Sequence, residues 1–108
     1  MHGTLIDLID RLDEVDASDG FNPPTIYAEG GSNASMKARA IICPHPGDDS
    51  FECPLDSTLT EVLMVYLAQE AIEVWANWRR RTPNRLQKFE AVMYYAQNDA
   101  YFPLEGNG

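Results

Sequence analysis

Cys43, His45 and Cys53 are the residues of this 108-residue chain whose types and spacing come nearest to a reactive or metal-binding group. Cysteine and histidine are zinc ligands, and His2 is a distant fourth. A structural zinc site takes four ligands, commonly as closely spaced cysteine pairs. The Cys-x-His-x7-Cys spacing lacks that pairing, so no metal and no cofactor is expected. A thiol beside a histidine is also two-thirds of a nucleophilic triad. Here prolines flank the histidine on both sides and nothing nearby supplies the third member. The simpler reading is two buried strand cysteines and a loop histidine. Asp48-Asp49 lacks the alternating acids of a calcium loop, and with Gly47 it reads as a hairpin turn. Gly30-Gly31-Ser32 lacks the lysine and helix of a phosphate-binding loop. No residue is assigned as catalytic, and the chain is read as non-enzymatic.

A second constellation combines aromatic and basic groups. Arg79, Arg80 and Arg81 follow Trp75 and Trp78, and Tyr94, Tyr95 and Tyr101 come later. Such side chains can line a pocket, with the arginines at its rim for an anionic group. The plainer reading places the arginines at a helix C-terminus, where cations complement the macrodipole. Arg85 and Lys88 fall in the first turns of the next helix, where the dipole disfavours cations, which points to a contact elsewhere.

Charge narrows the partners. Seventeen acids against eight bases give a net charge of −9. DNA, RNA and anionic membranes would be repelled, whereas a basic protein partner would be attracted. The first 56 residues hold eleven of the acids and three of the bases, so the chain is polarised along its length. The longest apolar run, Val62–Ala68, has seven residues, and a membrane span needs about 20. The start of the chain has neither a basic region nor an apolar stretch typical of an export signal. The expectation is one domain, 1–108, in the cytoplasm, with both thiols reduced.

These residues must be positioned by a few elements. Leu5, Leu8, Ile9, Leu12 and Val15 recur at helical spacing and predict a helix over 4–16. Asp7, Asp10, Asp13 and Glu14 lie on its opposite face, a candidate docking surface for the basic partner. Residues 25–29 and 36–43 read as strands, and 51–53 as a short third. Asp56, Ser57 and Thr58 read as the start of a long helix running to Arg80. That helix would be apolar nearly all round between 62 and 68, which requires cover on several sides. A homodimer with Val62, Met64, Val65 and Leu67 at the interface would supply it. Thr82 as cap and Pro83 at the first position predict a last helix with Leu86, Phe89, Met93 and Ala96 facing the core. The fold class is α+β: an N-terminal helix, a small antiparallel sheet and two C-terminal helices packed on it.

The acidic leucine-rich stretch Leu5–Val15, the Ile26-Tyr27 pair and the run Tyr94–Phe102 (Tyr-Tyr-x-x-Asn-Asp-Ala-aromatic) together carry a resemblance. The chain resembles small acidic bacterial proteins carried on mobile elements such as integron gene cassettes, or near toxin and immunity loci. The resemblance implies a small α+β cytoplasmic protein with an adaptive or defensive role, and it transfers no catalytic residue. The favoured reading is an immunity- or antitoxin-like binding protein, with a small-ligand-binding protein as the alternative.

Overall fold

A computed structural model describes residues 1–18 and 20–103. Five strands form one sheet: β1 (His2–Thr4), β2 (Pro24–Ala28), β3 (Arg39–Pro44), β4 (Glu52–Cys53) and β5 (Asp56–Met64). Their order is β1-β3-β2-β5-β4, and each neighbouring pair is antiparallel. Three helices complete the fold: α1 (Leu5–Asp10), α2 (Val65–Arg79) and α3 (Arg85–Asn98). This is the expected α+β architecture. No helix among the described residues is long and apolar enough to cross a membrane.

Period-two alternation gives the sheet two different faces. Ile26 and Ala28 of β2, and Ala40 and Ile42 of β3, pack with Leu5, Leu8, Ile9, Val65 and Val92 from the helices in the main core. Tyr27, Ile41 and Cys43 point the other way and form a second small core with Cys53 and Leu59. Strand β3 is therefore buried on both faces, not half-buried, and Met36–Ala38 precede it.

The long helix expected from residue 56 is half strand. Thr58, Thr60 and Val62 are β-branched, and Leu59 alternates with them into the second core. Asp56 does not open a helix; its carboxylate accepts from the Thr58 backbone N–H and hydroxyl at 3.0 and 2.6 Å. The helix begins only at Val65, directly after the strand. A bulge explains the dense apolar run. Tyr27 pairs with Glu61 and Ile26 with Leu63, so Val62 is the extra residue and turns into the same core as Leu63. The stretch is greasy on all sides because it crosses from a bulged strand into a helix. Val62 and Val65 are buried within one chain, while Met64 and Leu67 are half-buried. The premise for a twin across a helix apolar all round is thereby removed.

Two other boundaries differ from expectation. The first helix stops at Asp10, and Leu12–Glu14 form a single 3₁₀ turn. Gln69 of α2 donates to the carbonyls of Leu12 and Val15 at 2.8 and 3.0 Å, which fixes these groups outside a helical ladder. The last helix is capped by Asn84, not Thr82. The Asn84 side chain accepts from the Gln87 backbone and the Gln87 side chain accepts from the Asn84 backbone, a full capping box. Met93 is buried as expected and Phe89 and Ala96 pack half-buried on the main core, whereas Leu86 faces outward at 48% exposure and Ala91 and Val92 complete the buried face.

Candidate functional site

The sheet curls at its β4 end. Strands β3 and β4 are separated by β2 and β5, which in a flat sheet would hold them roughly 14 Å apart. Yet Cys43 Sγ and Cys53 Sγ lie 3.9 Å apart, both buried. The bulge at Val62 supplies part of the bend. A larger irregularity supplies the rest: one step along β4 matches four along β5. Burial pushes the Cys43 thiol up to about 11, with Cys53 adding to the effect. Burial likewise pushes the Tyr27 phenol up to about 12, and its hydroxyl has no hydrogen-bond partner among the described residues.

His45 leaves β3 into the connecting loop and is tied down from both sides. Its Nε2 lies 3.2 Å from Glu61 Oε1, and its Nδ1 accepts the Gly47 backbone N–H at 2.9 Å. Its carbonyl accepts from Asn22 Nδ2 at 2.9 Å and its backbone N–H donates to Pro23 at 3.0 Å. Both ring nitrogens are thus engaged, and a ring that accepts at Nδ1 is the Nε2–H tautomer, with its proton toward Glu61. Gly47, at φ 84°, provides the left-handed turn that brings its N–H back to the ring. Among the described residues, no three His, Cys, Asp or Glu side chains converge as a metal-binding group.

The loop beyond His45 is the surface feature that the residue pattern did not single out. Phe51 is 67% exposed and Leu55 is 65% exposed. The Phe51 carbonyl accepts the Glu61 N–H at 2.7 Å, so a fixed backbone presents the ring to solvent. Asp48, Asp49 and Glu52 stand exposed around it, and among the described residues no lysine or arginine pairs with them. A cavity of about 410 Å³ opens here, lined by His45, Asp48, Asp49, Ser50, Phe51 and Glu61. An apolar residue between acids in a turn was the available signal. The Glu61 contact was hidden because 61 was placed in a helix.

The acidic face at the N-terminus is mostly neutralised from within. Asp7 pairs with Arg85, Asp10 with Lys88 at 3.1 Å, and Glu14 with Arg11 at 2.9 Å. The Thr4 hydroxyl and Arg85 hold the Asp7 carboxyl below its ordinary value, and Arg11 does the same for Glu14. Asp13 is exposed, and among the described residues no lysine or arginine pairs with it. Beside this face, Ile9, Leu12, Ile72 and Gln69 line a mainly apolar cavity of about 270 Å³, with Asp10, Asp13 and Lys88 at its edge.

The aromatic and basic group does assemble, at the far end of α2. The Arg79 guanidinium lies 4.5 Å from the Trp75 ring and 5.5 Å from Phe102, and Nη2 donates to the Pro103 carbonyl at 2.7 Å. Arg81 stacks 5.3 Å from Trp75. Trp78 meets Tyr101 edge-on at 6.1 Å, Tyr95 meets Tyr101 at 5.3 Å, and Tyr94 meets Phe102 at 5.2 Å. Tyr101 also donates to Glu70. Arg80 is the exposed left-handed residue that ends α2, at φ 55°. These side chains contact one another and the segment 101–103 that folds over them. No family model matches the chain, and neither curated proteins nor solved structures give a significant match.

Proposed function

We propose that the chain is a non-enzymatic binding protein, immunity- or antitoxin-like, that engages a basic protein partner through the loop between His45 and Leu55. The observation that supports it most is the exposed Phe51–Leu55 pair ringed by the carboxylates of Asp48, Asp49 and Glu52, which no lysine or arginine among the described residues neutralises. An aromatic anchor within a charged rim is the usual composition of a binding hot spot, and the carboxylates would steer a cationic partner to it. The acids between 7 and 14 are less suited to this role, because Arg85, Lys88 and Arg11 already occupy Asp7, Asp10 and Glu14. The engaged nitrogens of His45 favour a structural histidine and a non-catalytic loop.

Capture from a host lysate at low salt tests the reading. A protein retained by the parent should be lost with Phe51→Ala and with Asp48→Asn/Asp49→Asn. It should persist with Asp7→Asn/Asp10→Asn and elute as salt rises. Retention that ignores the loop variants, or capture of nothing, would refute the proposal.

The second reading, a small-ligand-binding protein, now draws on the apolar cavity beside Leu12 and Lys88. A thermal-shift screen that moves only with small molecules would favour it. A pairing of two copies would rest on Met64, Tyr66 and Leu67 at the start of α2, and light scattering at tens of micromolar protein decides it. A cytoplasmic location belongs to the same proposal.

A further inference from the structure

The two cysteines of the chain stand ten residues apart in sequence and on non-neighbouring strands, yet their sulfurs touch. Random placement of two thiols does not give this; the curl of the sheet is what closes the gap. Both side chains sit in the small core with Tyr27, Ile41 and Leu59, and among the described residues each sulfur has the other as its polar neighbour. A disulfide requires sulfurs about 2 Å apart, and small side-chain and backbone shifts cover the difference from 3.9 Å. The strand that must move is suited to it. Strand β4 has two residues, lies at the edge of the sheet and is flanked by an irregular register, so it opens locally at low cost.

We propose that Cys43 and Cys53 form a reversible disulfide, closed by a small disulfide oxidant of the glutathione class. On local opening of β4, one thiol loses its proton and attacks the oxidant, forming a mixed disulfide and releasing one small thiol. The second cysteine thiolate then attacks the protein sulfur and expels the other small thiol. Two electrons pass from the cysteine pair to the oxidant, and two protons leave the protein thiols for the two released small thiols. The bond would tie the end of β3 to β4 and so bracket the loop that carries Asp48, Asp49 and Phe51. Closure of the bond does not depend on what that loop binds. The contrasting state is a pair of inert thiols that serve only as small apolar core residues.

The test equilibrates the full chain in buffers of graded oxidised and reduced glutathione and reads intact mass under denaturing, thiol-blocking conditions. The expected result is a monomer lighter by two hydrogens, without a glutathione adduct, restored by excess dithiothreitol. Its Tm should rise by roughly 10 °C, as for a bond closing a short loop. Cys43→Ser and Cys53→Ser should abolish the two-hydrogen loss; the mass reading on the parent stands even where a variant folds poorly. An unchanged mass after full equilibration in the most oxidising buffer would overturn the proposal. So would stable glutathione adducts on the two cysteines, or a bond formed only between chains.

Discussion

Arg85, in the first turn of α3, grips the carboxylate of Asp7 on α1. One turn further on, Lys88 reaches Asp10 at 3.1 Å and donates to its carbonyl as well. Cations at a helix N-terminus oppose the macrodipole. They stand here because the acids of α1 face them, so the basic cluster and the acidic helix solve each other's electrostatic problem. The two pairs bridge α1 and α3 at the margin of the main core that Leu5, Leu8, Ile9 and Val92 build beneath them.

Reversing one charge of the less exposed pair should therefore hurt, and reversing both should repair it. Lys88→Glu is expected to destabilise the fold by about 1 kcal/mol at low salt. Asp10→Lys/Lys88→Glu should recover most of that loss in urea unfolding. A double variant no better than the single would show that the pair does not couple.

Tyr27 carries a fully buried hydroxyl with no partner among the described residues. Its removal should not weaken the protein. Tyr27→Phe is expected to unfold at an unchanged or higher urea midpoint, with a gain of up to about 1 kcal/mol. A clear loss would reveal a hydrogen bond made in solution.

The start of α3 separates two candidate caps. Asn84→Ala should cost about 1 kcal/mol, because it breaks the capping box with Gln87. Thr82→Ala should be nearly silent. Chemical denaturation of both variants checks the order, and the reverse ranking would restore Thr82 as the cap.

Asp56 gives a pH signature. The Thr58 hydroxyl and Arg39 lower its carboxyl from 3.8 to about 2. A carboxyl lowered on folding binds fewer protons folded than unfolded over that interval. Its contribution is complete above 3.8 and fades as pH falls toward 2. Asp56→Asn should show lower stability at neutral pH and a shallower decline between pH 4 and 2 than the parent. Parallel acid limbs for the two proteins would contradict the assignment.

The residue pattern made much of the fold legible, and its failures have physical causes. The strand at Ile26-Tyr27, the turn after it, the end of α2 near Arg80 and the last helix were readable from periodicity and breakers. The strand from Asp56 to Met64 was not, because a bulge places Val62 and Leu63 on one side and breaks the two-residue period. The missing loop between Met64 and Val65 then joined strand and helix into one apparent helix. The acids of α1 were visible, but their internal partners lie 78 residues away, beyond any local pattern. The aromatic and arginine side chains, Arg80 excepted, cluster at the end of α2 because the apolar tail 101–103 packs back over them. The Phe51 loop escaped because exposure is a tertiary property, set by the Glu61–Phe51 backbone bond.

Amide chemical-shift mapping of the isotope-labelled chain against its captured, purified partner probes the docking loop most directly. The largest perturbations are expected at residues 48–55, with α1 and the Trp75–Tyr101 group little changed. Perturbations centred on Asp7–Glu14 or on the Arg79 cluster, with Phe51 and Leu55 unmoved, would contradict it.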